Sequence, residues 1–225
     1  YKKFKIRKDL SKKKQTYLID FNLSENFYFD IINFKTDTKK KTNIRSEFRV
    51  KNNKFFFKTI DITEGKSFIS VKGLEVNEKK EIEKINSINL ITFKNNKENN
   101  NFKINIKKKI SITGDKYDST NLIKSLSLNN KSNILKNFSN KIEIKLKNLT
   151  AKSEISLSNF NLIGSIEKGE INKISAKGDF SGDKYLDISL KKDQNNKKII
   201  EIYSDQPQAL IADYNFFEGV RGGKL

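Results

Sequence analysis

From Phe102 onward the chain alternates. Phe102, Ile104, Ile106, Ile110 and Ile112 occupy even positions, while Lys103, Asn105 and Lys107 occupy odd ones. A period of two puts the even side chains on one face of an extended strand and the odd ones on the other. The pattern returns in Ile142, Ile144 and Leu146, in Ile155 and Leu157, and in Leu186, Ile188 and Leu190. Further strands are predicted over 16–21, 26–35, 43–51, 54–62, 66–77, 84–94, 159–167, 170–180 and 197–203, joined by short stretches of Asn, Gly, Lys and Asp. Short joints favour antiparallel neighbours, because a parallel crossover needs a dozen or more residues. Gly164, Gly169, Gly178 and Gly182 supply turns and bulges where a large sheet bends. Two segments break the period. Asp118, Ser119 and Thr120 precede apolar positions 122, 123 and 126, and Ile134, Leu135 and Phe138 follow, which predicts short helical turns near 119–138. Over 206–217 a second helix is predicted, with Asp205 as cap, Pro207 in the first turn, Leu210, Tyr214 and Phe217 on one face, and Gly219 as terminator.

These elements add up to an all-β chain, an elongated and curved antiparallel sheet or groove with two short helices. It divides into a β-meander over 1–113 and a second segment over 114–225. Seventeen Phe and seven Tyr leave a large apolar face that a second layer, a closed barrel or sandwich, or a ligand must cover. Two short helices cover only part of so long a sheet, so an open apolar groove stands beside the closed alternatives. Its candidate liners are Phe102, Ile104, Ile106, Ile110, Ile142, Ile144, Leu146, Leu186, Ile188 and Leu190. The alternation fits groove and sandwich equally, because both bury one face.

Composition narrows the chemistry. The chain has no His, Cys, Met or Trp, so Ser-His-Asp and Cys-His relays, the usual zinc and haem ligand sets, and disulfides are closed to it. No catalytic residue, metal or cofactor is expected. Asp115 and Asp118 flank Tyr117, but turn formation and helix capping account for both. Gly222-Gly223 after Arg221 lacks the spacing of a phosphate loop. Lys and Arg outnumber Asp and Glu by 46 to 27, a net charge of +19. Part of that excess goes with the Asn, Ile and Phe richness that A/T-rich codons produce. What remains attracts anionic surfaces such as phospholipid headgroups. The clusters Lys12–Lys14, Lys39–Lys41 and Lys107–Lys109 are too short and scattered for a nucleic-acid track, and no nucleic-acid partner is expected. No apolar run approaches the roughly 20 residues a spanning helix needs. A start at Tyr1 and an end at Arg221-Gly222-Gly223-Lys224-Leu225 read as part of a longer protein.

The region from Gly114 to Leu225 carries an ordered set of motifs. Gly114, Tyr117 and Asp118 lead into Leu122-Ile123, followed by the Lys141–Ile144 alternation, Leu162-x-Gly164, Gly169-x-Ile171, Gly178-x-Phe180 and the Leu186–Leu190 strand. Ile202-x-Ser204-Asp205, Ala209-Leu210, Tyr214, and Gly219-x-x-Gly222-Gly223-x-Leu225 close the series. In this order the region resembles the AsmA-like proteins of Gram-negative bacteria, especially the long YhdP-type members, at the approach to their C-terminal module. Pro207-Gln208 departs from the glycine usual in that family after Ser-Asp. The resemblance implies a periplasmic protein anchored to the inner membrane outside this segment. It also implies that repeating β-groove modules shield phospholipid acyl chains on the way to the outer membrane, with an unknown partner there. Gly114, Tyr117, Asp118, Ser204, Asp205, Leu210, Gly219, Gly222 and Gly223 would be structural motif positions. A ligand-free β-sandwich or scaffold of the cell envelope is the alternative. A membrane β-barrel would need aromatic girdles at both strand ends, and the sequence has none.

Overall fold

The computed structural model describes residues 4–9, 16–23, 25–37, 39–121, 139–150, 156–168, 170–195 and 197–206. Among these the protein is all-β. Fourteen strands lie in open, mostly antiparallel sheet and two more form a small ladder, with no closed barrel and one 3₁₀ turn as the sole helical element. The chain divides into two compact units, the first made of Tyr1–Phe29 and Phe34–Lys107, the second of Asp30–Asn33 and Lys108–Leu225.

In the first unit β1 (Phe4–Asp9), β2 (Thr16–Leu23), β5 (Thr42–Lys51), β6 (Lys54–Glu64), β7 (Ser67–Val76), β9 (Ser87–Lys94) and β10 (Lys97–Ile106) lie side by side in that order. β8 (Ile82–Lys84) adds to β7. β3 (Tyr28–Phe29) and β4 (Phe34–Lys35) make the separate two-stranded ladder. Two of the hairpins turn on asparagine pairs. Asn52-Asn53 and Asn95-Asn96 all have positive φ, between 49° and 63°, and each pair joins directly opposed lysines, Lys51 to Lys54 and Lys94 to Lys97. Two left-handed residues in succession make the tight turn whose twist matches the strands, and asparagine tolerates that conformation better than other side chains.

The second unit is a sheet in sequence order: β11 (Lys109–Asp118), β12 (Asn140–Thr150), β13 (Ser156–Glu167), β14 (Glu170–Phe180), β15 (Lys184–Lys192) and β16 (Lys198–Ser204). All its pairs are antiparallel except one. β11 and β12 run parallel, from Lys109 opposite Lys141 to Asp118 opposite Thr150. The exception falls at the one long connection, 119–139, which has the length a parallel return requires.

Several strand expectations are corrected. The segment 26–35 is not one strand. β3 and β4 are separated by a 3₁₀ turn at Asp30–Ile32 and by Asn33, whose φ of 45° reverses the chain while its N–H bonds Asp30 O. The segment 84–94 is split because Asn86 leaves the ladder to bond Lys72 O and accept from Ile106 N. The alternation from Phe102 to Ile112 is carried by two strands, β10 and β11, rather than one. Conversely, residues from Ser156 to Glu167 form a single strand, β13, bulged at Asn159 with φ 52°. Of the predicted helices, 122–138 and 207–217 lie outside the described residues.

Candidate functional site

Register converts the alternation into rungs that cross the second unit. Ile110, Ile142, Gly164, Ile174, Leu190 and Ile200 are successive partners from β11 to β16. Two residues along, Ile112, Ile144, Leu162, Ala176, Ile188 and Ile202 form a second rung. A third runs from Gly114 through Leu146 and Phe160 to Gly178, Leu186 and Ser204. Partners in a ladder point to the same face, so these side chains make one continuous apolar surface. The seven liners expected in this unit all lie on it. Register adds Leu162, Ile174, Ile200 and Ile202 to this face, together with Ile112, which the alternation includes but the expected liners do not.

Burial falls along the strands. Leu186, Leu146 and Phe160 on the third rung are 2%, 3% and 8% exposed, whereas Ile110, Ile142 and Leu190 on the first are half-buried and Ile200 is 58% exposed. The buried end is tightened by the bulge. Leu157 and Phe160 are three residues apart, a spacing that would put them on opposite faces of a regular strand. Both lie within 3.4 Å of the point where a Gly178 Cβ would stand. Left-handed Asn159 between them brings both over the glycine.

The opposite face is charged. Glu143 takes ion pairs from Lys109 and, at 2.8 Å, from Lys145; Lys177 pairs with Asp187 and Lys191 with Glu201, each at 3.0 Å. Hydrogen bonds from Lys109 and then Lys145 hold the Glu143 carboxyl down at about 2, against an ordinary 4.5. Lys191, and then Ser189, lower Glu201 in the same way. Tyr185 and Tyr203 stack here with centroids 5.2 Å apart, and the hydrogen bond between their hydroxyls raises the Tyr185 pKa.

The first unit has its own rungs. Phe21, Ile44, Ile62, Ile69, Leu90 and Phe102 are successive partners, with Ser46, Ile60, Val71, Ile88 and Ile104 alongside. Phe102 is buried and Ile104 half-buried, while Ile106 is tied by its N–H to Asn86 O at 2.8 Å. This face ends in a buried polar row. Thr42 Oγ1 and Asp37 N donate to Glu64 Oε2 at 2.5 and 3.0 Å, Asn100 Nδ2 donates to Thr92 Oγ1, and Thr92 Oγ1 to Asn99 Oδ1, both at 2.8 Å. Each bond offsets a desolvation cost that an unpaired group would bear. The polar run Glu98–Asn101 inside an otherwise alternating strand was the sequence signal for it.

The motif positions have structural places. Gly114 lies within β11 as a rung member, and Tyr117 and Asp118 end that strand. The Tyr117 hydroxyl donates to Ile31 O at 3.0 Å. Asp118 is buried; its Oδ1 accepts from Thr120 N at 3.1 Å and its Oδ2 from Asn33 Nδ2 at 2.8 Å. Ser204 is buried opposite Leu186, and Asp205 closes the strand end by bonding both Tyr185 O and Tyr185 N. Leu210, Gly219, Gly222 and Gly223 lie outside the described residues. Among the described residues no group of three or more Asp or Glu is placed to hold a metal ion, and no helix is long and apolar enough to cross a membrane. No family model, no curated protein and no solved structure matches the chain.

Proposed function

We propose that the two-faced sheet carries lipid acyl chains on its apolar side. In this reading the chain is a segment of an AsmA-like periplasmic protein, anchored to the inner membrane, that shields phospholipid tails on their way to the outer membrane. The observation that carries the reading is the exposure gradient across the second unit. Two rungs without a polar member cross all six strands, from Ile110 to Ile200 and from Ile112 to Ile202, and exposure on this face rises from 2% at Leu186 to 58% at Ile200. Ile200 stands on β16, the last strand of the ladder, but Ile110, Ile142 and Leu190 of the same rung are also only half-buried although their strands have a neighbour on each side. A face that remains part-exposed at one end, on a sheet whose other face is charged, suits a long apolar ligand. Covering one such isoleucine side chain is worth about 1.5–3 kcal/mol, so several rungs together hold a tail without any single strong contact.

The ligand-free scaffold is the competing reading, and the deeply buried Leu146, Phe160 and Leu186 favour it at that end of the face. The outer rungs separate the two. A fluorescent fatty acid titrated into the full chain is expected to brighten on binding. Ile200→Asp, at an exposed position that tolerates a charge, is expected to lower its affinity about tenfold or more, the equivalent of roughly 1.4 kcal/mol. Ile104→Asp and Ile144→Asp extend the test to deeper positions in each unit, with a melting curve to certify folding. Probe binding unchanged in a folded Ile200→Asp variant, or no binding by the native chain, would favour the scaffold.

A further inference from the structure

On the charged face of the second unit two tyrosines stand side by side. Leu186 and Ser204 are directly opposed on the apolar face. Tyr185 and Tyr203, each one residue before a member of that pair, are therefore diagonal neighbours on antiparallel strands and point the other way. Their backbones are fixed. Tyr185 N donates to Asp205 Oδ2 at 3.0 Å and Tyr185 O accepts from Asp205 N at 3.1 Å, while Tyr203 lies opposite Asp187, which Lys177 holds at 3.0 Å. The rings stack with centroids 5.2 Å apart and planes 17° from parallel, yet they belong to residues 46% and 50% exposed. Burial does not account for the pair. Tyr17, by contrast, stacks on Phe48.

Composition gives this pair its chemistry. The chain has no Cys, Met, Trp or His, so the sulfur and indole side chains that oxidants attack elsewhere are missing, and tyrosine is its most readily oxidised side chain. We propose that Tyr185 and Tyr203 form an oxidative cross-linking site, at which a peroxide acting through a haem peroxidase couples the two rings into dityrosine. Each phenol gives up one electron and its hydroxyl proton to become a phenoxyl radical. The two radicals join in a carbon–carbon bond between ring positions ortho to the oxygens. The hydrogen on each joined carbon then moves as a proton to the ring oxygen and restores the phenol. The protein thereby loses two hydrogen atoms, and one hydrogen peroxide becomes two waters. Exposed side chains change rotamer in picoseconds to nanoseconds, so the stacked rings reach the coupling geometry without movement of the sheet. The bond ties β16, the last strand of the ladder, to β15, in a chain that has no cysteine for a disulfide. It does not depend on what occupies the apolar face.

The test treats the full chain, kept dilute, with hydrogen peroxide and a haem peroxidase, and reads dityrosine fluorescence, intact mass and tryptic peptides. The native monomer is expected to gain that fluorescence and to lose two hydrogen atoms. It is also expected to yield peptide 185–191 joined to peptide 199–221, with fragment ions placing the bond at Tyr203 rather than Tyr214. Y185F and Y203F keep the rings and remove the phenol, and each is expected to lose the joined peptide. Y17F and Y214F are expected to keep it. Amide hydrogen exchange in β16 is expected to slow in the linked monomer, because an edge strand opens locally and a bond to its neighbour opposes that opening. The proposal is overturned by a native chain that gives no joined peptide, by a joined peptide that persists in Y203F, by a bond at Tyr214 in place of Tyr203, by dityrosine found only in covalent dimers, or by exchange in β16 that the link leaves unchanged.

Discussion

Asn33 Nδ2 donates to Asp118 Oδ2 at 2.8 Å across 85 positions of sequence, and both residues are buried. The contact fastens the 3₁₀ turn at Asp30–Ile32 to the end of β11, beside the Tyr117 hydroxyl bond to Ile31 O. Asn33 Oδ1 accepts in turn from Asn121 Nδ2 at 2.9 Å. Asp118 thus serves as a receptor for several donors at a strand terminus. Replacing it by alanine leaves those donors buried without their acceptor, at a cost of about 2–3 kcal/mol. Urea unfolding of Asp118→Ala is expected to show a lower midpoint with an unchanged slope. Asp118→Asn, which keeps the shape but offers fewer acceptors, is expected to fall between it and the native chain. A native midpoint in Asp118→Ala would show that the cluster contributes nothing.

Two glycines on the apolar face separate close approach from conformational freedom. A Cβ on Gly164 would stand 2.8 Å from Lys173 O, a backbone atom of the neighbouring strand, whereas one on Gly178 would meet side-chain atoms of Phe160 and Leu157 at 3.3–3.4 Å. Alanine ordinarily improves a strand interior over glycine by about 0.5–1 kcal/mol. At Gly164 that gain is outweighed, because the backbone of β14 has to shift, and a net loss of about 1–3 kcal/mol is expected. Gly178→Ala is expected to change stability less, since two side chains absorb the methyl. Thermal melts of both variants check the ranking, and a Gly164→Ala chain as stable as the native one would contradict it.

Much of this arrangement was legible in the sequence and part of it was not. Even-position alternation in Ile142–Leu146 and Leu186–Leu190 places those residues on the face where register finds them, because a period of two needs no tertiary information. The exceptions have local causes. Asn159 in a left-handed bulge moves Leu157 onto the same side as Phe160, and Asn33 turns 26–35 back on itself; asparagine also occupies many ordinary strand and turn positions here, so neither stood out. The parallel pairing of β11 with β12 is a topological fact about the connection 119–139, and alternation carries no information about direction. Opposed pairs such as Lys192 and Lys198 emerge only when two strands are set in register.

Acid is expected to weaken the charged face in a defined window. Glu143 titrates at about 2 in the folded protein and ordinarily at 4.5. A carboxylate depressed by folding adds stability that is complete above its ordinary value and is lost as pH falls toward its folded one. The difference in melting temperature between the native chain and Glu143→Gln is therefore expected to be constant above pH 4.5 and to shrink between 4.5 and about 2. The cluster is solvent-exposed, so added salt should reduce the difference throughout. A difference that grows on acidification would contradict the assignment of Lys109 and Lys145 as the cause.

The central claim is that lipid occupies the apolar face, and native mass spectrometry of the full chain, purified gently from membranes and paired with lipid extraction, tests it most directly. The expected result is phospholipid bound at reproducible stoichiometry in the native protein and depleted in the folded Ile200→Asp variant. A folded, monodisperse native chain that carries no lipid after the same purification would contradict the claim and leave the rungs as the core of a scaffold.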